Sequence, residues 1–240
     1  TDRVDAFSLQ CPVPILIMNK TLDTLASGER VEITSTDPGF PRDAAAWCSS
    51  TGNQLISKDS SGGKSVDVIE KGEPKSCNIV TSCEGKGKTF IMFSDDLDKA
   101  LATFVLANGA AATGQKVTIF FTFWGLNVIK KLHKPETEKD IFGKMFGMML
   151  PSSSKKLKLS KMSMGGIGGK MMRYIMNKKG IDSLESLRQQ ALENGVEFIA
   201  CQMSMVVMGV KQEELLDKVT IGGVATYMER ADNANVNLFI

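Results

Sequence analysis

The sequence predicts an α/β protein in two domains, and three observations carry that reading. Runs with helical and strand periodicity alternate, as where Ile15–Leu25 precedes the alternating Val31-Glu32-Ile33-Thr34-Ser35. The stretch Lys116–Trp124 is almost continuously apolar, as strands are when a parallel sheet is covered on both faces. Between the two halves, Lys71–Lys88 is rich in Gly, Ser and Lys and holds a Pro, the composition of a linker. The expected boundaries are a first domain at 1–72, a linker at 73–87 and a second domain at 88–240.

Composition sets the outer limits. At 240 residues, 42% hydrophobic and 23% charged, the chain has room for two small folded domains. A net charge of +2 gives no footprint for nucleic acid. Apolar runs fall short of the roughly 20 residues a spanning helix needs. The first residues do not read as a secretory signal. Val117–Trp124 reads as a buried strand and Ile199–Val210 as a strand with a turn. The five cysteines, Cys11, Cys48, Cys77, Cys83 and Cys201, show no metal-ligand spacing, and with one histidine no metal site is expected. An odd thiol count fits a reducing cytoplasm. The chain begins at Thr1 without an initiator Met and is expected to be a fragment of something longer.

The first domain opens on Ser8-Leu9-Gln10-Cys11-Pro12-Val13-Pro14, followed by the helix-period run. Proline suits the first helical turn, where its missing N–H would be unpaired in any case. Cys11 therefore falls at or beside a helix N-cap, where unpaired N–H groups and the helix dipole favour a thiolate. Two readings stand: a nucleophilic, sulfur-bearing thiol, or a small apolar Cys under a helix start. After the strand Val31–Ser35 come the turn Thr36-Asp37-Pro38-Gly39-Phe40 and a helix through Asp43 and Ala44 to Trp47. Thr51-Gly52-Asn53-Gln54-Leu55-Ile56 follows, and Val66–Ile69 reads as the last strand.

This order resembles the TusA (SirA-like) sulfur-carrier family over about residues 3–70. The resemblance rests on the Cys-Pro-x-Pro cysteine, the Gly-Glu before the second strand, the Asp-Pro-Gly-Phe turn and the helix ending in Trp and Gly. It implies a small two-layer α/β sandwich of order βαβαββ, and a Cys11 that accepts sulfane sulfur as a persulfide and hands it on. Ser8 stands where the family usually has Gly, and Asn53 where it often has His.

In the second domain Thr89–Phe93 is a short strand, and Asp95, Asp96 and Asp98 open a helix reaching Gly114, their charge suited to its N-terminus. After the strand at 116–124 come a helix from Ser183 to Asn194 and the strand Val196–Ala200. Helices near Gln212–Val219 and Gly223–Asn233 precede a final strand, Val236–Ile240. Alternation of this kind argues for a parallel sheet, whose ligands gather beyond the carboxyl ends of the strands. Cys201 follows one such strand, Trp124 and Gly125 end another, and Ser94 and Asp95 end a third, so three ends converge on one crevice. Cys201 is either a functional thiol at the floor of that crevice or a buried Cys ending an apolar strand.

Thr118–Leu126, Ala200–Gly209 and Gly222–Tyr227 resemble the DsrE/DsrF-like family, and within it the peroxiredoxin-like branch, over about residues 88–240. The resemblance implies a three-layer α/β domain whose strand-end cysteine, here Cys201, receives or donates sulfane sulfur. The tandem also resembles the C-terminal part of CoA-disulfide reductase and rhodanese fusions.

Residues 139–179 hold eight of the fourteen methionines and ten Lys or Arg against one acid, Asp140. Both ends look helical around Gly165-Gly166-Ile167-Gly168-Gly169, and a flap near the crevice is expected. It reads as a loosely packed lid or oligomer contact, as a basic lid over an anionic sulfur species, as a membrane-surface contact, or, with no specific spacing, as a copper(I) site. Cys77 and Cys83 are either incidental linker thiols, a redox pair, or thiols that resolve a passing persulfide, and His133 reads as a solvated loop residue.

The function expected is sulfur relay: Cys11 carries sulfane sulfur, as persulfide or thiosulfonate, and exchanges it with Cys201, with no cofactor and no metal. Expected partners are other sulfurtransferase or rhodanese domains, a flavin-dependent disulfide reductase, a membrane surface and a second copy, with no nucleic acid. Two alternatives stand beside it: a scaffold or oligomerisation module of a larger reductase, and a peroxidase with a resolving thiol near Cys201.

Overall fold

The computed structural model describes residues 2–7, 9, 13–73, 87–132, 150–162 and 166–240. The chain divides into two compact units, Thr1–Gly85 with Ile221–Asn233, and Lys86–Thr220 with Ala234–Ile240.

The first unit is built on a mixed four-stranded sheet. Its elements are β1 (Asp2–Ala6), α1 (Val13–Asp23), β2 (Arg30–Ser35), α2 (Phe40–Thr51), β3 (Gln54–Ser61) and β4 (Lys64–Glu70). The sheet order is β1-β2-β4-β3. β1 runs parallel to β2, with Val4 opposite Ile33, while β2 and β3 both pair antiparallel with β4. Period-two burial brings Val31 and Ile33 of β2 and Ile69 of β4 to one face. Helical spacing brings Ile15, Met18 and Leu22 of α1, and Phe40, Ala44 and Cys48 of α2, onto that same face. Asp67 shares the buried face of β4, and Val66 and Val68 are only half-buried.

A helix from the far end of the chain, α7 (Val224–Asp232), packs on α2 within this unit. The buried Asp43 carboxylate of α2 accepts hydrogen bonds from the Gly223 and Thr226 backbone N–H groups, at 2.8 and 3.1 Å, and from the Thr226 hydroxyl. A carboxylate placed there satisfies N–H groups that a helix start leaves unpaired.

The second sheet has five parallel strands in the order β8-β7-β6-β5-β9. They are β5 (Gly87–Met92), β6 (Val117–Phe121), β7 (Glu197–Cys201), β8 (Thr220–Gly222) and β9 (Ala234–Phe239). All five residues of β6 are buried, as the continuous apolar run predicts. Helices α3 (Leu97–Ala112) and α5 (Leu184–Glu193) pack together, and Phe104 of α3 meets Phe121 and Phe198 with ring centroids 6.4 and 5.7 Å apart. Helix α4 (Ile167–Lys178) begins in the glycine run of the methionine-rich stretch. Much of that stretch lies outside the described residues, as do Cys77, Cys83 and His133.

Three sequence expectations are corrected. The apolar run at 117–124 stops as a strand at Phe121, and Phe123–Ile129 is a 3-10 segment held by a Gly125 N–H bond to the Phe93 carbonyl at 2.8 Å. The expected strand and turn over 199–210 is instead the end of β7 followed by helix α6 (Gln202–Val207). The helix expected over 212–219 is one 3-10 turn, Gln212–Glu214. Its neighbours spend their backbone groups elsewhere: Lys131 N–H donates to the Glu214 carbonyl and Leu216 N–H to that of Ile129, at 2.8 and 3.1 Å.

Candidate functional site: the carboxyl edge of the five-stranded sheet

Because β5, β6 and β7 are neighbours and run parallel, their carboxyl ends lie along one edge, where open α/β sheets place their chemistry. Cys201 is the last residue of β7 and the cap of α6, and is 6% exposed. One hydrogen bond ties the end of β6 to the helix after Cys201: the Thr122 and Ser204 hydroxyls are 2.8 Å apart.

The turn leaving β6 is tightly held. A Cβ on Gly125 would stand 1.9 Å from the Met92 carbonyl oxygen, so only glycine lets this segment reach the end of β5. Phe123 takes a positive φ of 46°, a strained setting for an aromatic residue and one that concentrates at functional sites. Its ring belongs to an aromatic rim: Phe93 stands 5.6 Å from Phe123, 5.3 Å from Trp124 and 5.6 Å from Phe239. Trp124 is 45% exposed, so the rim reaches water.

Behind this rim the polar groups are poorly satisfied. Asn127 is fully buried and its amide donates to Asp95 at 2.9 Å, while its own oxygen has no partner. Burial pushes the Asp95 carboxyl above the usual carboxylate range, and the Asn127 bond opposes that shift. Gln202, beside Cys201 in the chain, also buries an amide oxygen without a partner. Buried acceptors are rarely left so, and these two mark this edge as polar ground inside an apolar sheet. Among the described residues no group of acids, Cys and His has the makings of a metal site. The edge therefore offers a thiol, paired hydroxyls, a buried carboxyl raised above its usual range and two unpaired amide oxygens.

Of the two predicted site thiols the structure describes Cys201, while Cys11 lies outside the described residues. The convergence of the three strand ends was readable from the sequence, and Ser94 and Asp95 with it. Asn127, Gln202 and the Thr122–Ser204 pair were not, because no local pattern marks a polar side chain that turns inward. Cys48 differs from Cys201. It is buried in α2, and burial together with the Asp67 charge pushes its thiol up to about 12, so at neutral pH it stays protonated and inert. At the other sheet, Ser35, Thr36, Asp37, Ser60, Ser61 and Lys64 help line a cavity of about 270 Å³ beside the carboxyl end of β2.

Comparison with known proteins follows the same division. Residues 85–239 match the DsrE/DsrF/DrsH-like family and residues 2–71 match sulfurtransferase TusA. An uncharacterized protein of Bacillus subtilis, YrkE, is 44% identical over 155 residues, 65% of this chain and 97% of that protein. Sulfur carrier protein DsrE2 of Allochromatium vinosum is 37% identical over 161 residues, 65% of this chain and 99% of its own length. Sulfur carrier protein TusA of the same organism is 41% identical over 69 residues, 29% of this chain and 91% of its own. A TusA domain and a parallel-sheet domain thus share one polypeptide, and the chain belongs to the DsrE/DsrF/DrsH-like family.

Proposed function

We propose that this chain relays sulfur between two thiols, with Cys11 as carrier and Cys201 as exchange partner. The observation that carries the reading is the pairing itself: one polypeptide joins regions similar to two proteins that are each named sulfur carriers. The reading is supported by Cys11 standing just before a Pro-led helical run in the sequence and by Cys201 ending a parallel strand.

The proposed step is a displacement. The Cys201 thiolate attacks the outer sulfur of a Cys11 persulfide, and a new bond forms between Cys201 Sγ and that sulfur. The bond from the same sulfur to Cys11 Sγ breaks, and Cys11 leaves as thiolate. The two cysteines exchange roles, so the pair needs no external oxidant or reductant. A thiosulfonate on Cys11 moves in the same way: Cys201 attacks its sulfane sulfur, the bond from that sulfur to Cys11 Sγ breaks, and Cys201 carries the thiosulfonate while Cys11 leaves as thiolate. The chain between the units raises the effective concentration of one thiol at the other. Partners of matching chemistry are other sulfurtransferase or rhodanese domains and a flavin-dependent disulfide reductase.

Intact-protein mass spectrometry after brief exposure to polysulfide tests the relay, comparing wild type, Cys11→Ser and Cys201→Ser. The expected result is added sulfur at Cys11, and at Cys201 only while Cys11 is present. A bare Cys11 overturns the proposal. A second reading, in which the five-stranded unit is a scaffold, draws on the burial of Cys201 at 6% exposure. Loading of Cys11 without any adduct on Cys201 would select it.

A further inference from the structure

Helix α4 (Ile167–Lys178) is anchored on one side and bare on the other. Its inner side is made for close contact. A Cβ on Gly168 would lie 2.1 Å from the Met162 carbonyl oxygen, and Met176 is buried. Arg173 pairs with Glu185 and donates to the Ser154 carbonyl, both at 2.9 Å. The outer side carries Ile167, Met171, Tyr174 and Ile175, spaced i, i+4, i+7 and i+8 and all exposed, Ile167 at 65% and Tyr174 at 66%. Exposed Met162 and Ile181 extend the stripe at either end. A surface helix ordinarily turns polar side chains outward, so an outward apolar stripe marks an interaction surface.

The charge along the stripe is mostly positive, with Asp182 beside Ile181 the exposed acid at its end. Lys158, Lys161, Lys170, Lys178 and Lys179 are exposed around it, and residues 141–181 contain no Asp or Glu. None of the five lysines has an ion-pair partner among the described residues. We propose that α4 lies along the surface of a bilayer containing anionic phospholipid. The apolar stripe enters the boundary between headgroups and acyl chains, and the lysines sit over the phosphates, their stems along the apolar edge.

The shape and charge favour this occupant over a second copy of the chain. A twofold contact would set the same lysines against one another. The helix, about 18 Å long, also offers far less than the roughly 800 Å² per partner of a stable dimer. A convex helix suits a bilayer, which needs no complementary groove. Among the described residues no helix is long and apolar enough to cross a membrane, which fits a helix lying on one.

Vesicle flotation of the full chain tests this, with phosphatidylcholine vesicles against equal parts phosphatidylcholine and phosphatidylglycerol. The chain is expected to float with the anionic vesicles, not with the neutral ones, and to be released as salt rises. The Met171→Ser/Tyr174→Ser/Ile175→Ser variant and the Lys170→Glu/Lys178→Glu variant should each bind at least about tenfold more weakly. The lysine pair is exposed, so unchanged circular dichroism is expected there even if the triple variant misfolds. Absence of flotation, equal partition into neutral vesicles, or a lysine variant that floats like wild type overturns the proposal. An oligomer lost in the triple variant, with no vesicle binding by wild type, gives the stripe to a second copy and also overturns it.

Discussion

Cys48 and Cys201 are exposed to nearly the same small degree, 4% and 6%, yet their settings are opposed. Cys48 faces a sheet from the last turn of a helix, with Ile33, Phe40, Ala44 and Ile69 in the same core and the Asp67 carboxyl close enough to raise its thiol further. Cys201 stands where a parallel strand ends, one residue from an unpaired amide oxygen and beside a segment whose aromatic rim reaches water. Burial alone does not tell these two thiols apart. Their places do: under the relay proposed above, a group at a strand end is reached when one turn moves, whereas a thiol under a helix needs the core opened.

Alkylation gives the widest separation between the two. At a pKa of about 12, against 9.0 for an ordinary thiol, Cys48 has about a thousandfold less thiolate at neutral pH. A short iodoacetamide pulse on native protein, mapped by peptide mass, should modify Cys201 before Cys48. The reverse order would break the comparison. Gly125→Ala should come next in size. Its Cβ would meet the Met92 carbonyl at 1.9 Å, and backbone on both sides must move. A loss of about 3 kcal/mol is expected in urea unfolding. In the same variant Cys201 should label faster while Cys48 does not change. Equal acceleration at both would mean that the strand-end turn does not govern access to Cys201.

The difference between the two thiols was only partly legible in the sequence. The strand before Cys201 and the helix from Leu184 to Glu193 announce themselves by period and by the Ser183 cap, whose side chain accepts from Ser186 N–H. The helix over Cys48 is equally clear. Asp67 was not, because Val66-Asp67-Val68-Ile69 invites the reading that the valines face inward. In the sheet Ile33 stands opposite Asp67 and Val31 opposite Ile69, and that register turns the carboxylate into the core. The turn after β6 was missed for a related reason. Phe123 and Trp124 continue the apolar run, and it is a distant partner, the Phe93 carbonyl, that bends the chain there. Local pattern identifies elements, while pairing with remote segments decides where they stop and which polar groups they bury.

Asp67 also gives the smallest test, and its sign is fixed by linkage. The residue is fully buried, and the Ser65 hydroxyl and the Lys58 charge only partly offset that burial. Burial pushes its carboxyl above the ordinary value of 3.8. A carboxyl raised in the folded state leaves stability intact below the ordinary value and removes it as pH climbs through the folded one. Asp67→Asn keeps the shape and removes the ionisation. It should therefore stabilise the chain at neutral pH, by on the order of 1 kcal/mol for a buried, poorly satisfied charge. That advantage should shrink as the medium is acidified and vanish below pH 3.8. Urea midpoints for both proteins across that range read the effect directly. Because the Asp67 charge also raises the Cys48 thiol, the same substitution should ease alkylation of Cys48 and leave Cys201 where it was. If Asp67→Asn destabilises at neutral pH instead, the carboxylate has a partner that it needs in its charged form. The contrast between an inert core thiol and a reachable edge thiol would then rest on the strand end alone.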